Sequence, residues 1–355
     1  MHEIAERAGV GKATVSLALR NDPRLRPETR RRIQRVAATM GYRTNATVAN
    51  LMAQLRASGS QKFHATLGLL NVSSGPATLA APPAAREWIA GCRDRATLLG
   101  YGFESFCLHE PGEPGEPGIT PARLAAILEA RGIRGLVIPP IVDPSSLPDS
   151  FDLIWRNFAC VVVGLRPVWP PLNFSTNDQF STAFRAVQRL WESGYRRIGL
   201  VISPELDSIV DRRYSAGFWA GQETRHDCQR LPVFPFHHTG KSSFRTWYAQ
   251  HRPDAILCIH EEVKTWLEEM RIHVPGMVGL AHLDRTGDLH DWSGMNQNNA
   301  LVGSAAIDML VGQLHRNEIG LPDSPKASFT QSTWIDATTT GGVSSFEPIR
   351  ETTLV

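Results

Sequence analysis

Cysteine is scarce and scattered in this chain. Cys92, Cys107, Cys160, Cys228 and Cys258 are odd in number and form no C-x-x-C pair. This argues against a disulfide framework or a thiolate metal site and for reduced, buried thiols in a cytosol. No apolar run approaches the roughly 18 residues that a membrane span needs. The N-terminus has no hydrophobic core segment, so no secretory signal is expected, and the chain is placed in the cytoplasm with the nucleoid. Enzyme signatures are missing too. There is no G-x-G-x-x-G after the first strand, no phosphate-cradling loop and no H-E-x-x-H. Gly240-Lys241-Ser242 lacks the preceding glycine and strand, and reads as a loop. His237-His238 on a strand would point to opposite faces, so with His251 they read as structural or surface histidines. Glu261-Glu262 and Glu268-Glu269 read as solvated helix faces. Neither a metal, a cofactor nor catalysis is expected.

What is present is concentrated at the start. Residues 1–60 carry Lys12 and ten arginines against four acidic residues, about +7, whereas the remainder is about −5. A basic head on a mildly acidic body points to a polyanion partner for the head alone. The head also has a helical pattern. Ile4 to Ala8 is a short amphipathic segment, and a glycine of Gly9-Val10-Gly11 supplies the positive φ of a tight turn, with Val10 as its apolar plug. In Lys12 to Leu19, Val15, Ala18 and Leu19 fall at i, i+3, i+4 and face a core. Lys12, Ala13, Ser16 and Leu17 fall on the other side, near the end that would enter a major groove. Asn21-Asp22-Pro23 breaks the helix. A third follows Arg26, with Pro27 in its first turn, apolar Ile33, Val36, Ala37 and Met40, and Gly41 as its stop.

The ordered string A-G-V-x-x-x-T-V-S over residues 8–16, then Thr29-Arg30, then Gly41-Tyr42-x-x-Asn45, resembles the DNA-binding head of the LacI/GalR family. The resemblance implies that Lys12, Ala13, Thr14, Ser16 and Leu17 meet base edges. Arg24, Arg26 and Arg30, with Arg43, would meet phosphates. Asn45 to Ala53 is similar to the family's hinge helix, with Leu51 as the leucine that wedges a base step in the minor groove. The alternative for Leu51 is an ordinary linker contact. Three departures stand out. The Thr or Ser that usually precedes helix 1 is absent, so either that helix frays or the start lies upstream. Arg26 replaces the serine N-cap of helix 3. Leu17 stands where arginine often reads guanine, leaving contact with a thymine methyl.

Beyond the head, alternating apolar runs and helical stretches imply parallel sheets covered by helices. Strands are expected at Ala65–Val72, Phe103–Leu108, Gly135–Pro139, Ala159–Gly164, Arg197–Ile202, Ala255–Ile259 and Val278–Ala281. Helices are expected at Glu87–Gly102, Thr120–Arg131 and Phe180–Ser193. The tandem Glu-Pro-Gly repeat at residues 110–118 reads as a loop. Roughly 290 residues exceed one ordinary core, so two subdomains are expected. The expected fold is an N-terminal all-α helix-turn-helix head plus an α/β two-lobed, periplasmic-binding-protein-like effector domain. Its parts are the head at 1–44, hinge helix and linker at 45–62, the two lobes at 63–342, and a tail at 343–355.

By resemblance, effector contacts fall on Asp178, Arg213, Tyr214, His260, Glu261, Asp284 and Gln297. The family's arginine three residues before a glycine is Tyr214 here, with Arg213 one earlier. His260-Glu261 replaces a common Asn-Asp. The alternative for each is capping a strand or helix. The implied partners are a pseudo-palindromic double-stranded operator, a small polar effector of sugar type, and a second copy in a homodimer. The expected function is a transcriptional regulator, a repressor by expectation. The rivals are a cytosolic sugar-binding protein with a non-functional head and a sugar-modifying enzyme, for which no constellation is seen.

Overall fold

The computed structural model describes residues 2–19, 24–40, 65–72, 83–107, 119–140, 151–167 and 169–341. Asn45, Leu51, the hinge segment, the Glu-Pro-Gly repeat and the tail lie outside the described residues. The head has three helices, α1 (His2–Ala8), α2 (Lys12–Leu19) and α3 (Pro27–Thr39). Gly9, at φ +62, makes the turn between the first two. There Val10 N–H donates to the Ala5 carbonyl at 3.0 Å and Gly9 N–H to the Glu6 carbonyl at 3.2 Å. A side chain in this left-handed position would be strained, which is why glycine ends the helix. Ile4, Ala5, Ala8, Val15, Ala18, Ile33 and Ala37 form the buried core, its alanines letting the helices cross closely. Gln34 Nε2 donates to the Ala18 carbonyl at 2.9 Å, satisfying one of the open carbonyls at the end of α2.

Arg26 occupies the N-cap of α3 in extended geometry, with no side-chain hydrogen bond to the helix. Arg26→Ser would supply that acceptor, a gain of about 1 kcal/mol. Amide exchange across α3 should then slow about fivefold. Unchanged or faster exchange would show that the cap is already satisfied.

The body contains two six-stranded sheets. The first runs in the order β2 (Tyr101–Cys107), β1 (Ala65–Asn71), β3 (Gly135–Ile138), β4 (Ala159–Gly164), β5 (Asn173–Asn177), β11 (Ala327–Thr330), every pair parallel. Strand alternation sends Val137, Val161 and Val163 to α4 (Pro83–Leu98) and α12 (Asn299–Arg316). It sends Leu136, Ile138, Cys160 and Val162 to α5 (Pro121–Ala130) and α6 (Asp152–Asn157). Both faces are apolar because both are covered.

The second sheet runs β7 (Phe234–Pro235), β6 (Ile198–Ile202), β8 (Ala255–Cys258), β9 (Gly279–His282), β10 (Ser293–Asn296), β12 (Thr333–Ile335). Its last strand is antiparallel. Ile198, Leu200, Ile202 and Leu257 pack on α7 (Gln179–Glu192) and α9 (Arg213–Glu223). Val201, Ile256, Cys258 and Leu280 pack on α10 (Lys241–His251) and α11 (Glu262–Glu269). The short α8 (Pro204–Ile209) follows β6.

The chain passes between the lobes at Asn177–Asp178, at Asn296–Asn299 and at Thr330–Ser332. These passages bond to one another. Asn177 Nδ2 donates to the Gln297 carbonyl at 2.8 Å, Asp178 N–H to the Thr330 carbonyl at 3.0 Å, and Asn298 Nδ2 to the Gln331 carbonyl at 2.8 Å.

Some expected boundaries shift. The helix expected at Glu87–Gly102 runs Pro83–Leu98 and stops before Gly100, at φ +79. The strand expected from Phe103 starts at Tyr101, because the edge strand pairs with β1 from Ala65 onward. His237-His238 lies in the turn after β7 rather than on a strand, and His238 Nδ1 is 3.0 Å from Glu262. Cys92, Cys160, Cys228 and Cys258 are buried and Cys107 is half-buried, all as free thiols. Burial pushes the Cys92 thiol up to about 12. Among the described residues no helix is long and apolar enough to cross a membrane.

Candidate functional site

The lobes meet at the C-terminal ends of their strands, where open α/β sheets present their loops. A cavity of about 360 Å³ lies there, walled by Leu165 and Arg166 after β4, Thr176 at the end of β5, Val210, Asp211 and Arg213 of the α8–α9 turn, and Phe329 of β11. Asp211 and Arg212 are both left-handed, at φ 56. Neither is glycine, so this turn is strained, a feature that tends to accumulate at ligand clamps. The turn aims Asp211 at Arg166 across the cleft, Nη1 to Oδ2 at 3.0 Å. Both side chains are well exposed, so the pair adds little stability.

Arg213 opens α9 and contacts both the first passage and β11. Its Nη2 donates to Asp178 Oδ1 at 3.0 Å, and its guanidinium lies 5.0 Å from the centre of the Phe329 ring. Asp178 is also the N-cap of α7, accepting from Ser181 N–H at 3.2 Å and Ser181 Oγ at 2.7 Å. Desolvation pushes the Asp178 carboxyl up, but the Ser181 and Arg213 hydrogen bonds outweigh it and hold the group below the usual carboxylate range.

One helical position on, Tyr214 turns inward. It is buried, and its hydroxyl accepts from Gln297 Nε2 at 2.6 Å. Gln297 also donates to the Leu283 carbonyl at 2.8 Å. Burial, with Asp284 and Asp207 nearby, raises the Tyr214 hydroxyl, so it stays protonated. Asp284 Oδ1 accepts from Asn299 Nδ2 at 3.2 Å, and Asn299 Oδ1 accepts from Trp88 Nε1 at 3.0 Å. A polar relay thus runs from α4 of the first lobe to the end of β9 in the second. Trp88 packs where only glycine leaves room, since a Cβ on Gly164 would come within 2.5 Å of its ring.

His260 stacks on Phe236 at 3.8 Å between ring centres, and its Nε2 accepts from Ser203 N–H at 3.1 Å. Burial lowers its basicity, in keeping with a neutral ring that accepts. Glu261 is exposed at the start of α11. The expected residues therefore separate into an Arg213–Asp178 pair at the cavity, a Tyr214–Gln297–Asp284 cluster at the passages, and His260 and Glu261 farther along the sheet edge. Arg166, Phe329, Trp88, Asn177 and Asn299 were not anticipated. Only Asn177, beside Asp178, and Asn299, two residues past Gln297, were adjacent to a recognised motif. In the head, Lys12, Ala13, Arg24 and Arg26 are exposed, and Thr14, Leu17 and Arg30 are half-buried, above buried Val15 and Ala18.

Asp284 yields a pH prediction. Burial raises its carboxyl to about 6, with Glu87 adding to the shift and Asn299 opposing it. The folded state therefore holds a proton that the unfolded chain has lost, and stability falls as pH rises from about 4 to about 6. Asp284→Asn keeps an acceptor for Asn299 and removes the charge. It should be more stable than the parent by about 2–3 kcal/mol at pH 7 and nearly equal to it near pH 4. Denaturant midpoints at the two pH values decide this, and an equal difference at both would remove the linkage.

The model for "Bacterial regulatory proteins, lacI family" matches residues 1–45, and that for a periplasmic binding protein-like domain matches residues 187–328. The head is thus a lacI-family domain, and residues 187–328 of the body form a periplasmic binding protein-like domain. The chain is 26% identical over 220 residues to an uncharacterized HTH-type transcriptional regulator in the aml 5′ region of Streptomyces limosus, covering 61% of this chain and 56% of that one. It is 25% identical over 205 residues to the HTH-type regulator CelR of Thermobifida fusca, covering 57% and 55%. The matched part thus spans just over half the length of these curated relatives.

Among solved structures, a transcriptional regulator CelR–cellobiose complex aligns with a TM-score of 0.55 at 19% identity, over 95% of this chain and 98% of that one. The lac repressor dimer bound to operator and the anti-inducer ONPF aligns with a TM-score of 0.54 at 19% identity, over the same shares. At this identity the likeness is one of fold. Tyr214 fills the lobe interior, and Arg213 takes the cleft.

Proposed function

We propose that this protein is a DNA-binding transcriptional regulator, acting as a homodimer on a pseudo-palindromic operator, with a small polar ligand between the lobes setting its operator affinity. The observation that carries the reading is the split face of α2. Val15 and Ala18 are fully buried, while Lys12 and Ala13 stand exposed at its N-terminal end, the end a recognition helix places against base edges. Lys12, Ala13, Thr14, Ser16 and Leu17 then read bases, Arg24, Arg26 and Arg30 hold phosphates, and Asn45 and Leu51 belong to the hinge. The related structures bound to cellobiose and to operator support a sugar-class ligand and a DNA partner.

The ligand acts through the three bonded passages. Closing the lobes on it changes their angle, and the resulting coupling to the head is of the order of 1–3 kcal/mol. Repression is the expected direction. Selection of operators from a random duplex pool by the purified protein tests the reading. An enriched site with two-fold symmetry supports it. A pool without enrichment would favour a sugar-binding protein whose head does not read DNA.

A further inference from the structure

We infer that the cavity beside Arg213 binds the anionic group of a small ligand, a carboxylate or phosphate carried on a compact body such as a sugar acid or sugar phosphate. This rests on the reading of a ligand between the lobes and narrows its chemistry. The region of the passages is already filled: the Trp88 ring packs on Gly164, Trp88, Asn299 and Asp284 bond in a chain, and Gln297 bonds Tyr214. The open volume lies to one side, where both cationic wall residues are arginines, Arg166 and Arg213.

Arg213 Nε is buried and has no hydrogen-bond partner. A buried donor left unpaired is uncommon, and it marks this guanidinium as incompletely satisfied. Asp178 engages Nη2 of the same guanidinium, whose side chain is 35% exposed, so planar donors of the kind that match carboxylate and phosphate oxygens remain. Phe329 fixes the plane from below, and Leu165, Leu172 and Val210 give the ligand body an apolar wall. Arg166 is held across the mouth by Asp211. An anion entering there would exchange with Asp211 as the partner of Arg166, so binding draws on the charges that bridge the lobes.

The test is calorimetric titration of the full chain with glucuronate, galacturonate and glucose 6-phosphate, each beside its neutral parent sugar. At least one anionic compound should bind roughly tenfold or more tightly than its parent. That preference should vanish in Arg213→Gln and fall partway in Arg213→Lys, which keeps a charge for Asp178 but not the planar edge. If the glutamine variant does not fold, the lysine variant and Arg166→Gln carry the comparison. Neutral sugars binding as well as the acids, an undiminished preference in the Arg213 variants, or silence of every anionic probe at millimolar concentration would overturn the inference. A protein that still selects an operator in those cases leaves the regulator reading intact. Loss of operator selection overturns that reading instead.

Discussion

Gly303→Val should destabilise the body by about 3 kcal/mol or more. Helices α4 and α12 cross with a glycine on each side. A Cβ on Gly303 would lie 2.0 Å from the Trp88 carbonyl oxygen, and a Cβ on Gly91 would lie 1.9 Å from that of Ala300. Both obstacles are backbone, which cannot rotate aside as a side chain does. The crossing is further tied by Cys92 Sγ to the Gly303 carbonyl at 3.3 Å and Ser304 Oγ to the Gly91 carbonyl at 3.4 Å. Gly303→Ala should also destabilise, although alanine is intrinsically better than glycine in a helix by about 1 kcal/mol. Trp88 and Asn299 stand on these two helices, so the valine variant should lose the inter-lobe relay together with stability. Denaturant unfolding decides the matter. A valine variant within about 1 kcal/mol of the parent would mean that the helices can part without harm.

The second large effect concerns salt. Arg26 at the start of α3 and Arg30 one turn later share a helix edge, with Arg24 just before them. Under the proposed role, three such contacts in each half of a dimer would neutralise about six phosphates, giving a slope of log affinity on log salt near −5. Operator affinity should then fall roughly a thousandfold between about 50 and 200 mM salt. Arg30→Gln should flatten the slope by about 2, one contact per half-site, without altering which sequence is preferred. A slope near zero would mean that the head does not hold phosphates and that its charge is only solvated surface.

Much of the architecture was legible because its signals are local. The head helices follow from a 3.6-residue apolar period and a glycine at a turn position that needs a positive φ. β4 reads directly from Ala159–Gly164, an unbroken apolar run covered on both faces. β10, β11 and β12 were not legible, since Ala-Ser-Phe-Thr in β11 alternates exposed and half-buried positions and its partner strand lies about 150 residues earlier in sequence. The candidate site residues were suggested by motif, but not the direction each side chain takes. Arg213 and Tyr214 are neighbours in sequence but about 100° apart around α9. Tyr214 shares its face with Phe218 and faces the core, so the arginine is the residue left for the cleft. Phe329 and Trp88 reach the site only through the fold, each from a different lobe passage or helix, and no spacing could have announced them.

The most direct measurement is the affinity of the full chain for its selected operator, read by fluorescence anisotropy, with and without the paired acidic and neutral sugars. A shift of roughly 5- to 150-fold produced by one compound is the expected result for a ligand-controlled regulator. Tight operator binding that no compound changes would contradict ligand control. Absence of any sequence-dependent binding would contradict the role of the head.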